Sequence, residues 1–367
     1  MNMQPLKLSW VGICLCALAL PLAGVQALDF QPYFEEDFQW RLELSPLDFT
    51  RDSDYQARQL SQRFATARYK AESKDYSGAL ADLNGAVESA PKYATAYAVR
   101  ASLEHHLGYD VDAFADSARA IKLNPNLSYP RRIRGIVESE SDRDYTNALL
   151  DFRQAIGLDL HDIQVYVECA YVERARTNFA AALGDLDRAI QVNETRPEKT
   201  RLGSPYWAAG WIQSDVGQYP LALKNFRKAL KQSPSIRCGL RVWVLRARLG
   251  DREAATSNLV KHIQFVSPIH RNRPLAVCER FLAGKASEED LLQAAGDSAL
   301  NPAIRRRELC TANYYVGMKR MLDGDEAGAL RFLQQASATA LNCFPDCESA
   351  TVEAAALEKA GFQAAGP

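Results

Sequence analysis

The sequence predicts an all-α protein, a right-handed α-solenoid of about seven helix hairpins. Three observations predict it. One helical pattern recurs along the chain, Leu and Ala are plentiful while alternating strand patterns are scarce, and glycines and prolines punctuate the ends of the recurring stretches. Lys and Arg number 44 against 45 Asp and Glu, a net charge of −1, so nothing global directs the chain to nucleic acid or to an acidic membrane surface.

The first element is a targeting segment. Lys7 supplies a weak positive start, residues 8–20 form an apolar run, and Val25-Gln26-Ala27 place small residues where signal peptidase acts, so cleavage after Ala27 is expected. The run is shorter than the ~20 residues a spanning helix requires. Cys14 and Cys16 follow Ile13 and Leu15, whereas a lipobox needs a small residue before its cysteine, and no lipid anchor is expected. The mature chain should be periplasmic or secreted, without an integral membrane segment. Residues 28–58 combine Phe30, Tyr33, Phe34, Phe38 and Trp40 with Glu35, Glu36 and Asp37 and read as a partly ordered arm that covers the first hairpin.

The repeats come next. "KDYSGALADLNGAVESAP" (74–91), "GYDVDAFADSARAIKLNP" (108–125), "RDYTNALLDFRQAIGLDL" (143–160), "TNFAAALGDLDRAIQVNE" (177–194) and "GQYPLALKNFRKALKQSP" (217–234) share one layout, and "GDREAATSNLVKHIQFVSP" (250–268) and "GDEAGALRFLQQASATAL" (324–341) keep to it more loosely. Ala79, Ala113, Ala148, Ala182 and Ala222 are spaced 34, 35, 34 and 40 apart. A period near 34 with the order Tyr–Ala–Phe–Ala–Pro resembles the tetratricopeptide repeat (TPR). In such a unit the anchor alanine of helix B meets a small residue of helix A, here Ala67, Ala101, Ala170, Gly210 and Gly317, and a Leu or aromatic further along fills the adjoining groove. Gly-Asp at 250–251 and 324–325 should end helix A in a left-handed turn and begin helix B with an acidic cap. Proline stops helix B. One hairpin cannot bury its own apolar face, so the units must stack. Residues 192–205 interrupt the period with a polar loop, and Ser287 ahead of Glu288, Glu289 and Asp290 opens a helix that lies off the repeat. The division is therefore 1–27 signal peptide, 28–58 arm, 59–268 six repeats, and 269–367 an irregular helical segment, a last hairpin and a capping helix.

The closing part carries a narrower likeness. "RPLAVCERFLAGKASEEDLLQAA" (273–295), "RELCTANYYVGMKRMLDGDEAGALRFLQQASATAL" (307–341) and "ESATVEAAALEKAGF" (348–362) resemble the end of the NlpI-like periplasmic TPR lipoproteins: an apolar helix ending Phe281-Leu282-Ala283-Gly284, a Glu-rich helix, then Tyr314 and Tyr315 before Gly317. The resemblance implies a scaffold presenting peptidoglycan hydrolases to a periplasmic protease, often as a homodimer. The missing lipobox and the larger number of repeats depart from that family.

No catalytic constellation is evident. His105-His106 lacks the glutamate spacing of a zinc helix, and neighbouring residues on a helix face different directions. No metal site and no cofactor is expected, and the chain reads as a non-catalytic adaptor for proteins or peptides of the cell envelope. A subunit of an envelope secretion or polysaccharide-export assembly, or an enzyme with a site near 269–310, are the alternatives. The A helices of a TPR stack line a groove, and its slots are expected to hold Phe64, Arg68, His105, His106, Tyr171, Arg174, Trp207, Trp211, Arg248 and Tyr314. Rings there would bury apolar side chains, and guanidinium groups would hold carboxylates bidentately. Six cysteines beyond residue 27 suit an oxidising compartment. Cys169 reads as a buried small hydrophobe. Cys310, opening a helix A, and Cys343, closing the paired helix B, form the favoured disulfide, with Cys278 and Cys347 as alternatives.

Overall fold

A computed structural model describes residues 54–141, 143–263, 273–297, 302–339 and 345–364. The expected signal peptide, nearly all of the arm, and Cys343 lie outside these residues.

The described chain is helical throughout, in consecutive antiparallel pairs. α1 (Asp54–Glu72) and α2 (Tyr76–Ser89) form the first, α3 (Ala94–His106) and α4 (Asp110–Leu123) the second, α5 (Tyr129–Glu140) and α6 (Tyr145–Leu158) the third, and α7 (Ile163–Ala175) and α8 (Phe179–Thr195) the fourth. After a single 3-10 turn at Glu198–Thr200 come α9 (Ser204–Asp215) and α10 (Tyr219–Gln232), α11 (Ile236–Arg248) and α12 (Arg252–Ile263), α13 (Pro274–Leu282) and α14 (Glu288–Asp297), and α15 (Pro302–Leu322) and α16 (Glu326–Ser337), closed by α17 (Pro345–Lys359). The chain divides into two compact units, one running through Val192 and the other from Asn193 to the C-terminus.

Every described hairpin turns the same way. A residue of positive φ comes after each A helix: Lys74, Gly108, Arg143, Thr177, Gly217, Gly250, Gly284 and Gly324. A backbone N–H one residue further reaches back to the last turn of helix A, as in Tyr109 to Glu104 (2.8 Å), Asn178 to Glu173 (2.8 Å) and Asp251 to Arg246 (2.8 Å), which satisfies carbonyls the helix leaves open. Helix B then starts on an acidic cap in three cases: Asp75, Asp144 and Asp325 accept from the amides of Gly78, Asn147 and Gly328. The short pair α13–α14 departs from the alanine pattern yet keeps the turn, since Gly284 lies 34 residues after Gly250. Its second helix opens on a reciprocal box in which Ser287 Oγ accepts from the Asp290 amide at 3.0 Å and Asp290 accepts from the Ser287 amide at 2.7 Å.

The seam within each hairpin is built on small side chains. Ala79, Ala113, Ala148, Ala182 and Ala222 have no exposed surface, and neither do Ala101 and Ala170 opposite them. Where the A-helix position is glycine the approach is closer still. A Cβ on Gly317 would stand 2.8 Å from Leu333 and 3.2 Å from the Ala329 carbonyl, and one on Gly135 would stand 2.7 Å from the Phe152 ring. Gly135 is the third hairpin's seam residue, 34 positions after Ala101. A second repeat-borne bond crosses the seam: an aspartate three residues after the anchor alanine pairs with a cation of helix A, in Lys70–Asp82 (2.8 Å), Arg100–Asp116 (2.6 Å) and Arg134–Asp151 (2.5 Å). These seams are why the A helices come to lie side by side with one face of each turned away from its own partner.

Candidate functional site

In the N-terminal unit the A-helix faces carry a half-buried polar array centred on His105. Its Nδ1 lies 2.8 Å from Asp110 Oδ1, at the start of α4, and its Nε2 lies 3.1 Å from Glu140 Oε2, at the end of α5. Ser141 Oγ donates to the other oxygen of Asp110 at 2.6 Å. One imidazole thus joins α3, α4 and α5. Burial opposes its charge, but the hydrogen bonds the ring donates to both carboxylates outweigh that and push its pKa up to about 10. Close by on α7, burial and the charge of Glu140 push Glu168 up to about 7, against the pull of Arg132, whose Nε is 3.6 Å from Asp162. Tyr171 and Arg174 stand half-buried on the same helix. His106 faces elsewhere, its ring 5.0 Å from that of Tyr76. Adjacent histidines therefore share no ligand. Among the described residues, no group of three or more His, Cys, Asp and Glu side chains is placed to hold a metal ion.

Arg68 is exposed and pairs with Glu72 at 3.8 Å. Phe64 is a correction to the expected groove: it is wholly buried with Leu60, Leu83 and Leu103, its ring 6.3 Å from Tyr93. Glu140, Glu168 and Arg132 join the site without belonging to the expected set. They sit on the third and fourth A helices, and the third face is absent from that set because Gly135 is not among the expected seam residues.

The A-helix face of the C-terminal unit is occupied. α17 lies against α15 and α16 and also reaches α9 and α11. Asp346, fully buried in its first turn, accepts from Arg237 (2.8 Å), Arg241 (2.7 Å) and Thr311 (2.8 Å). Arg241 also donates to the Tyr314 hydroxyl (2.8 Å) and to Ser349 (3.1 Å). Two turns further along α17, Glu353 is held by both terminal nitrogens of Arg248, at 2.7 and 2.8 Å, and the Arg248 guanidinium lies 4.6 Å from the Tyr219 ring centroid. Burial disfavours the charge of Arg241 and of Arg248, and their anionic partners more than restore it, so both remain cationic. Arg248 therefore grips a carboxylate bidentately, as its position suggests, but the carboxylate belongs to the chain's own last helix.

Trp207, Trp211 and Tyr314 are likewise core residues rather than groove residues, 7%, 2% and 2% exposed. Trp207 meets Phe226 edge-on at 5.0 Å across Gly210, and Tyr314 lies under Arg241. The Trp207 ring thus fills the seam of its own hairpin, α9 with α10. The cysteine pairing is corrected too. Cys310 bonds Cys347, with Cα atoms 5.8 Å apart, because α17 folds back along α15 and brings its first turn beside the third turn of that helix. Cys278, Cys169 and Cys238 are buried thiols outside the disulfide, and that of Cys238 donates to the Phe226 carbonyl at 3.1 Å.

No family model matches this sequence, and neither does any curated protein. Solved structures of similar fold include PilW, a widely conserved type IV pilus biogenesis factor (17% identity, TM-score 0.48, 57% of this chain and 95% of that one). PilF of Pseudomonas aeruginosa is similar at 15% identity and TM-score 0.48, over 57% of this chain and 92% of that one. A tetratricopeptide repeat protein from Parabacteroides merdae ATCC 43184 is similar at 12% identity and TM-score 0.46, over 82% of this chain and 99% of that one. By its own hairpins, left-handed turns and small-residue seams, the described chain has the tetratricopeptide-repeat fold.

Proposed function

We propose that this protein is a non-catalytic scaffold that binds other polypeptides through the A-helix face of its N-terminal unit, and that it does so in the cell envelope after export. The observation that carries the reading is the pairing of buried seams with a half-buried, charged outer register: His105, Arg132, Glu140, Tyr171 and Arg174 fill no seam yet are held in fixed positions by α3, α5 and α7. Such a face offers cations, carboxylates and a ring in a rigid row, which suits an extended or helical segment of mixed charge. Export is supported by the first 27 residues and by six further cysteines, two of them joined. The likeness of the last hundred residues to NlpI-like lipoproteins favours envelope hydrolases or a periplasmic protease as partners. No described helix is long and apolar enough to cross a membrane.

The test compares purified wild type with Tyr171→Ala plus Arg174→Ala as bait for envelope extracts, followed by titration calorimetry on each captured protein. Loss of about tenfold or more in affinity for at least one partner is expected. Full retention by every partner would remove the N-terminal face from the reading. Sequencing the secreted chain should find Leu28 first.

A further inference from the structure

α17 is held differently from the helix before it. Its neighbour α16 buries Leu330, Phe332 and Leu333, whereas the buried residues of α17 are Pro345, Asp346, Cys347, Ser349, Ala350, Ala354 and Leu357. Leu357 is its one large buried aliphatic chain, so polar contacts and a crosslink take the place of apolar anchors. These restraints are uneven along its length. The first turn carries the disulfide and the threefold-bound Asp346. Beyond it, Ser349 meets Arg241 and Asp215 at 3.1 and 3.4 Å, and contacts further along include Arg248 on Glu353, Ser337 on Thr351 at 2.8 Å, and Gln334 on Glu358 at 2.7 Å. The fit against the A helices is also incomplete. A cleft remains, lined by Asp215, Tyr219, Arg241, Arg248, Tyr314 and Glu353, and the buried Nε of Arg241 finds no acceptor. Asp346 and Glu353 stand seven residues apart, two helical turns, on the side that faces the arginines.

We propose that α17 is a built-in ligand for the A-helix face of the C-terminal unit, a strap fixed at its first turn and releasable beyond it, and that an acidic helix of a partner polypeptide takes its place on Arg248. The partner is defined by the chemistry of the part it displaces: a helical segment with a carboxylate at the place of Glu353 and small residues beside it. The partner's carboxylate replaces Glu353 in the same bidentate geometry. The Tyr219 ring remains on the far side of the guanidinium, and the spare acceptor demand of Arg241 is met by the incoming chain. This inference rests on the scaffold reading but assigns a second face with its own specificity, one that is closed at rest.

The probe is a fluorescein-labelled peptide of residues 345–362 with Cys347→Ser, titrated into the full oxidised chain and monitored by anisotropy. Weak binding is expected for the wild type. Glu353→Gln, which frees Arg248 while keeping the side chain's size, should bind about tenfold tighter, and adding Arg248→Ala to it should abolish the gain. Equal binding by wild type and Glu353→Gln, or a gain that survives Arg248→Ala, would overturn the proposal. A second measurement needs no variant: amide exchange in the unmodified chain should show residues 352–359 at least about tenfold less protected than α16. Equal protection in the two helices would also overturn it. Partners captured through Tyr171 and Arg174 would stand even so, which separates failure of the strap from failure of the scaffold reading.

Discussion

The two units use the same hairpin and do opposite things with the face it frees. In the N-terminal unit the A helices hold their charges toward one another across hairpins, His105 between Asp110 and Glu140, and leave Tyr171 and Arg174 half-buried beside them. In the C-terminal unit three arginines of the corresponding face are bound to carboxylates of α17. A repeat sets where side chains stand; whether they meet a partner or the chain's own end is decided by the helix that comes after the last hairpin.

The contrast can be broken most severely at Asp346. Asp346→Ala removes the shared acceptor of Arg237 and Arg241 and leaves buried cations uncompensated, so the C-terminal unit should lose about 3–5 kcal/mol in urea unfolding. A cost below about 1 kcal/mol would mean that water already serves these groups. Cys347→Ser comes next. Opening a crosslink that spans 37 residues costs about 3–4 kcal/mol by the chain-entropy argument, and reductant should reproduce the effect in wild type while leaving the variant unchanged.

The N-terminal unit answers to pH instead. His105 is raised in the folded state, so its stabilising contribution is complete below the ordinary histidine value of about 6.5 and is lost as pH rises toward 10. The stability difference between wild type and His105→Gln should therefore be about 2 kcal/mol near pH 6 and shrink between pH 7 and 10, measured by denaturant melts. A constant difference would mean the ring is held by packing alone. The smallest effect sharpens the comparison at the turns. Lys74, Arg143 and Thr177 adopt the left-handed conformation that every described turn of the C-terminal unit gives to glycine. Lys74→Gly should raise the melting temperature slightly, by relief of about 1 kcal/mol of strain partly offset by a looser unfolded chain.

Much of this architecture is legible in the sequence because it is written locally and repeatedly. Ala79, Ala113, Ala148, Ala182 and Ala222 mark seams whose partners lie about a dozen residues away, and Gly-Asp at 324–325 spells out both the turn and the cap. The aspartates at 82, 116, 151 and 185 recur on the same period and are a further signal; the first three mark the cross-seam ion pairs, and Asp185 pairs with Arg153 of the preceding hairpin. The occupied face is not legible. Arg241 meets Asp346 and Arg248 meets Glu353 across 105 residues, and nothing periodic connects those positions. The same gap misplaces Trp207, Trp211 and Tyr314. Their slots in the repeat are those of groove residues, but only the packing of neighbouring helices reveals that each is covered. Spacing alone pairs Cys310 with the wrong end of its hairpin, because no local pattern tells where α17 comes to rest.

The bond between Cys310 and Cys347 has a practical corollary for anyone probing the chain with enzymes. A protease that severs any one peptide between these two cysteines yields two fragments still joined through sulfur, so an electrophoresis lane without thiol shows full mass where the polypeptide is already in two parts. Resistance to digestion in that stretch has to be judged after reduction.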